Sequence, residues 1–210
     1  MAPESKKKNN VEFDVGRELF DWAGAMVNAI VTVVLIFAFV CGVFRVDGPS
    51  MLPTLHNGEF MLVSRLFYTP KAGDIVVFSK MDGHFIDEKT GRESPLVKRV
   101  VGVGGDTLRI DYNENAIYVK SEGDSDFHKL NQDYLPSDLV MNPKAYESGY
   151  ISPLVQEVII SPGCVFVCGD NRNNSLDSRD LNTIGEVDQR YILGRVLLRL
   201  TPLSRFGPVS

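Results

Sequence analysis

From residue 22 to residue 44 the chain (WAGAMVNAIVTVVLIFAFVCGVF) carries no charge, and Asn28 and Thr32 are its only clearly polar positions. A helix rises about 1.5 Å per residue, so about 20 such residues cross the roughly 30 Å hydrocarbon core of a bilayer. The run lacks the polar stripe at 3.6-residue spacing that a surface helix keeps, and it exceeds the roughly 7–15 apolar residues of a cleavable signal. It predicts one transmembrane helix over 22–44. The pattern then changes to short apolar runs cut by turn residues. Residues 60–63 form one run, and Lys71-Ala72-Gly73-Asp74 leads into another at Ile75-Val76-Val77-Phe78. Leu108, Ile110 and Tyr112 alternate with polar positions before Asn113-Glu114-Asn115, and 116–120 resume the alternation, which predicts a hairpin. Residues 95–103, 165–167 and 191–200 supply further strands, while 121–158 are polar and less periodic. The expected fold is mostly β: a single N-terminal transmembrane helix, then a β-rich core over about 45–106 and 159–205 with a smaller inserted subdomain over about 107–158.

Charge places this architecture. Lys6, Lys7, Lys8 and Arg17 precede the span and Arg45 alone stands close behind it. Basic residues near a span stay cytoplasmic, so 1–21 are expected inside and 45–210 outside the cytoplasm. A composition of 44% hydrophobic and 23% charged residues is that of a packed chain, and the net charge of −5 gives no basic field for nucleic acid. Cys164 and Cys168 on one strand would lie about 13 Å apart, too far for a disulfide. The histidines, His56, His84 and His128, share no ligand spacing with them, so no metal and no cofactor is expected.

In Gly48-Pro49-Ser50-Met51-Leu52-Pro53-Thr54-Leu55 a glycine and two prolines fix the backbone around a serine just past the span. Gly-Pro-Ser is also ordinary linker chemistry, and an activated serine needs a base. His84 and His128 lie in polar loop sequence, and His56 adjoins the turn Asn57-Gly58. The other source of a base is a buried, neutral lysine. In Pro95-Leu96-Val97-Lys98-Arg99-Val100-Val101-Gly102-Val103 both faces are apolar, so alternation does not separate Lys98 from Arg99. Chemistry separates them: arginine stays protonated, whereas burial lowers a lysine pKa by several units. Lowering it by about 3 costs roughly 4 kcal/mol. With no serine to serve, a lysine whose ammonium reaches water is the simpler reading. Gly102-Val103-Gly104-Gly105-Asp106 is a turn, since Thr107 stands where a dinucleotide fingerprint has its third glycine. The segment from Gly169 to Arg179 (GDNRNNSLDSR) is the densest polar stretch and suits a loop that bonds itself into shape beside a site.

Taken in order, the span, the 48–55 string, Gly73-Asp74-Ile75-Val76-Val77-Phe78, the 98–106 string and the 169–179 string resemble the bacterial type I signal peptidases. The resemblance extends over the chain apart from 79–94 and 121–158. It implies a Ser/Lys serine endopeptidase of the bacterial plasma membrane that removes signal peptides from exported preproteins at the outer face. The preproteins, the phospholipid bilayer and the secretion translocase would be its partners. By motif position Ser50 is the nucleophile, Lys98 the general base and Ser175 the hydroxyl that orients the lysine. Asp170, Asp177 and Arg179 are structural at the site. Some members carry a serine where this chain has Gly48, so the oxyanion is expected on backbone donors at Ser50 and Gly48. Asn173 replaces a common aspartate. Substrate is expected to lie extended against 46–50 and 94–97, with Phe44, Val46, Met51, Leu55 and Val97 as candidate pocket walls, positions equally at home in an ordinary core. A soluble self-cleaving repressor would lack the span. A maturation peptidase for one secreted or conjugative substrate, or an inactive tethered binding module, stays open.

Overall fold

The computed structural model describes residues 15–66, 68–80, 86, 91, 94–142 and 157–209. Readings that fall on 1–14 (Lys6, Lys7 and Lys8 among them), on His84 and on 143–156 lie outside the described residues. The chain divides into two units, Met1–Phe39 and Val40–Ser210.

The first unit holds helix α1, Val15–Phe39. Its stretch Val15–Ile36 is long and apolar enough, by length and composition, to cross a membrane, and side chains such as Phe20, Trp22 and Met26 are exposed. The expected helix of 22–44 is corrected at its C-terminal end: among the described residues the helix covers Val15–Phe39, and Cys41–Arg45 is a strand, β1. An apolar run does not by itself distinguish helix from strand; here tertiary pairing decides, because Cys41 to Arg45 align antiparallel with Ser64 to Phe60.

In the second unit the strands after β1 are β2 (Phe60–Ser64), β3 (Ile75–Phe78), β4 (Leu96–Val103), β5 (Thr107–Asp111), β6 (Ala116–Lys120), β7 (His128–Lys129), β8 (Val158–Ile159), β9 (Cys164–Cys168), β10 (Val187–Asp188), β11 (Ile192–Arg199) and β12 (Gly207–Pro208). One sheet runs β1-β2-β11-β3-β4-β9-β10 with β12 on β11, and a smaller one runs β7-β6-β5-β8. All pairings among the described strands are antiparallel.

Alternation along β9 shows how the core is shared. Val165 and Val167 pack with Val76, Phe78 and Val100 on one side. Phe166 and Cys168 pack on the other with Val101, Leu108, Ile117 and Ile160. Cys164 joins that second side and both thiols are free, as an extended strand requires. Among the described residues the small sheet therefore has no core of its own: Leu108 and Ile117 are fully buried against residues of β4 and β9. Burial of each is worth about 1.5–3 kcal/mol. β4 lies between β3 and β9, with Lys98 paired to Val76 and Arg99 paired to both Ile75 and Cys168.

Candidate active site

The turn after β1 is closed at its base. Val46 N–H donates to Glu59 O at 2.8 Å and Gly58 N–H to Val46 O at 2.9 Å. Inside it Met51 and Leu55 are fully buried among Val46, Met61, Val63 and Val77. Gly48 has φ +84°, a left-handed conformation that glycine adopts without strain. Ser50 thus stands on a turn anchored on the core.

Lys98 is 3% exposed, and its Nζ lies 2.9 Å from Ser50 Oγ and 2.9 Å from Val97 O, donating to both. Burial lowers its pKa from 10.5 to about 8, while the charges of Asp177 and Asp170 and the Cys168 thiol push the other way. Ser50 and Lys98 open onto one cavity of about 600 Å³, also lined by Phe44, Val46, Leu96 and Val97. Met51 and Leu55, expected as pocket walls, do not line it: both are core. Leu96 and Leu176 line it instead. His56 and His128 are exposed, and neither reaches the cavity.

The loop 169–179 wraps this pair. Asn171 N–H donates to Ser50 O at 3.0 Å and Asn171 Nδ2 to Pro49 O at 3.1 Å, so one residue grips two successive carbonyls of the turn. The Pro49–Ser50 peptide plane is thereby fixed, and the Ser50 N–H, on the side opposite Pro49 O, has no protein acceptor among the described residues. The Gly48 N–H is different. It donates to Asn57 Oδ1 at 3.2 Å, which corrects the expectation of a second backbone oxyanion donor there.

Two buried ion pairs hold the loop. Asp170 takes two bonds from Arg99, at 2.9 and 2.8 Å, and one from Thr54 Oγ1 at 2.5 Å. Asp177 pairs with Arg179 at 2.8 Å and accepts the Gly169 N–H at 2.9 Å. Burial opposes the Asp177 charge, but Arg179, the Gly169 N–H and the Ser175 hydroxyl outweigh it and hold the carboxyl below the usual range. Ser175 thus meets the surroundings of Lys98 through Asp177, whose charge Lys98 feels. A Cβ on Gly169 would lie 2.5 Å from both Ser175 Cβ and Ser50 O, and closer still to Ser175 Oγ, so only glycine fits between turn and loop.

Residues 19–201 match the family described as signal peptidase, peptidase S26. The chain belongs to that family. Signal peptidase I of Bacillus licheniformis is 35% identical over 185 residues, covering 84% of this chain and 85% of that protein. Signal peptidase I S of Bacillus subtilis strain 168 is 31% identical over 183 residues, covering 85% and 86%. Signal peptidase IB of Staphylococcus aureus Mu50 is 29% identical over 201 residues, covering 90% and 93%. In this signal peptidase family member the motif segments 48–55, 98–106 and 169–179 converge on one cavity mouth, although the first and last of them stand more than a hundred positions apart. The gripping role of Asn171 and the narrow fit at Gly169 are not marked in the sequence, where asparagines and glycines of equal standing surround them.

Proposed function

We propose that this signal peptidase family member is a membrane-anchored serine endopeptidase that removes signal peptides from exported preproteins by acyl transfer from Ser50. The observation that carries the reading is the 2.9 Å contact between Ser50 Oγ and a lysine buried deeply enough to hold its pKa near 8. Once Lys98 is neutral the contact reverses, and the Ser50 hydroxyl donates to the Nζ lone pair. Nζ takes the proton as Oγ attacks the scissile carbonyl carbon. The Ser50 N–H, its plane fixed by Asn171, faces the developing oxyanion. Collapse breaks the C–N bond, and the Lys98 ammonium returns its proton to the leaving amine. Lys98, neutral again, deprotonates a water that attacks the ester, and Ser50 Oγ leaves with that proton. An extended substrate adding alongside β1, the edge strand of the larger sheet, would reach this cavity by backbone pairing.

The apolar helix α1 anchors the chain in the bacterial plasma membrane, with the N-terminus cytoplasmic by the positions of Lys6, Lys7, Lys8 and Arg17. Catalysis then takes place on the outer face, beside the secretion translocase that delivers substrate. The test is cleavage of a preprotein bearing an Ala-x-Ala site by the full chain in detergent. Wild type should cleave, while Ser50→Ala and Lys98→Arg should not, since a guanidinium keeps its proton. Equal activity in Lys98→Arg would name another base. Protease added to right-side-out vesicles should digest the large unit; its full protection would reverse the orientation.

A further inference from the structure

The catalytic loop is bonded to the insertion as well as to the turn that carries Ser50. Arg172 is almost wholly buried and, among the described residues, has no carboxylate partner. Its guanidinium is met by neutral groups of the insertion. Nη1 donates to Gln132 Oε1 and approaches Met141 Sδ at 3.7 Å, and Nη2 donates to Tyr134 OH at 2.9 Å. The Tyr134 ring lies on a second cation, the Arg99 guanidinium, 3.8 Å from its centroid. Next along the loop, Asn173 Oδ1 accepts the Asn142 N–H at 2.8 Å while its Nδ2 donates to Val140 O at 2.8 Å. The second bond needs an amide, because a carboxylate at 173 has no proton to give Val140 O. The far side of the segment is secured to the β5–β6 hairpin, where Met141 N–H donates to Asn115 Oδ1 at 2.7 Å and Leu130 N–H to Ile117 O at 2.8 Å.

We propose that segment 132–142 is a positioning element for the general base: Tyr134 and Asn173 fasten the catalytic loop to the insertion and so keep water from Lys98. The inference rests on the assignment of Lys98 as base. Tyr134 does not line the cavity that holds Ser50, so it acts without touching substrate there. The groups facing Lys98 are the Ser50 hydroxyl from the turn, Asp170 and Asp177 from the loop and the Cys168 thiol from β9. Both carboxylates are held by their own arginines, Arg99 and Arg179, and remain when Tyr134 is cut back. Loosening the segment therefore acts mainly by admitting water, which raises the lysine pKa.

The experiment is the pH dependence of kcat/KM for preprotein cleavage by the full chain in detergent, with Ser50→Ala as control. Tyr134→Leu should move the acid limb upward by about one pH unit, a roughly tenfold loss at pH 7 that fades above pH 9. Tyr134→Phe, which keeps the ring on Arg99 but loses the acceptor for Arg172, and Asn173→Asp should move it less in the same direction. These two carry the test should Tyr134→Leu not fold. Phe127→Leu, in the same insertion but remote from the loop contacts, should leave the limb in place. A lowered unfolding midpoint with an unmoved limb would reduce the segment to ordinary structure and overturn the proposal, as would wild-type behaviour in all three variants. Activity in Ser50→Ala would overturn the acyl-transfer reading itself, whatever the limb does.

Discussion

Replacing the buried lysine by an apolar side chain of similar length should make the protein inactive and more stable. Folding carries Lys98 from a pKa of 10.5 to about 8, and at 1.36 kcal/mol per pKa unit this penalises its protonated form by about 3 kcal/mol. Below pH 8 the amine is protonated in folded and unfolded chains alike, so wild type bears the whole penalty. Between pH 8 and 10.5 the unfolded chain binds more protons, and wild-type stability from this group rises with pH. Above 10.5 both states are neutral and the penalty is gone. Lys98→Met removes the penalty at every pH but gives up the bonds to Ser50 Oγ and Val97 O, leaving a buried carbonyl at a cost of about 1–3 kcal/mol. At pH 7 the variant should be more stable by about 1 kcal/mol, or a rise of about 2–4 °C in Tm for a unit of this size. By pH 10.5 the advantage should turn into a deficit, because the difference between the two proteins moves by the full 3 kcal/mol or so. Urea unfolding of the full chain in detergent, followed by near-ultraviolet circular dichroism across that range, reads both numbers. Other groups titrate equally in the two proteins and cancel. A difference that stays constant from pH 7 to 10.5 would mean that Lys98 is not held neutral by burial, and the reasoning fails.

Gly169→Ala should lower kcat/KM at least a hundredfold, because the added Cβ has no room between Ser175 and Ser50 O; activity within threefold of wild type would show that the loop is free to move. Asn171→Ala keeps the backbone bond to Ser50 O but loses that to Pro49 O, so kcat should fall about tenfold, the worth of one hydrogen bond of about 1–1.5 kcal/mol, with KM nearly unchanged. Asp177→Asn leaves Arg179 buried with a neutral partner and should cost about 3–5 kcal/mol in urea unfolding. Because the Asp177 charge raises the Lys98 pKa, the acid limb of whatever activity survives should shift to lower pH.

Much of this site was legible in the chain because its chemistry depends on residue type. A hydroxyl between glycine and prolines, a lysine in an apolar strand and a dense polar loop each stand out from their surroundings, and the structure gathers all three. What did not show in the sequence was set by tertiary contact. Cys41 to Arg45 read as the end of a membrane span because an apolar run is silent about its partner, and β2 makes it a strand. Met51 and Leu55 read as pocket walls from their place in the string that carries Ser50, yet proximity along a turn does not fix which side faces the core. Gly48 looked able to offer its N–H, which Asn57, nine residues on, takes up. The insertion looked separate from the core because it is polar and irregular, while its apolar positions complete the packing around Phe166.

The pairing of Arg99 with Asp170 bears on more than rigidity. Both faces of β4 are apolar, with Leu96 and Val100 on the side of Lys98 and Val97 and Val101 on the side of Arg99. A slip of one residue along β3 and β9 would exchange the two faces and change hydrophobic burial very little. It would also deliver a guanidinium to Ser50, where the proposed mechanism needs a neutral amine. Only one alignment gives Asp170 its two bonds from Arg99 and lets Arg99 Nη1 reach Gly73 O at 2.9 Å. The slipped strand would leave a buried carboxylate without its cation, an error of about 3–5 kcal/mol. Asp170 works as the key of a lock: during folding it selects which of two adjacent cations stands beside the serine, and so decides whether Ser50 meets the lysine proposed as its base or an arginine that keeps its proton.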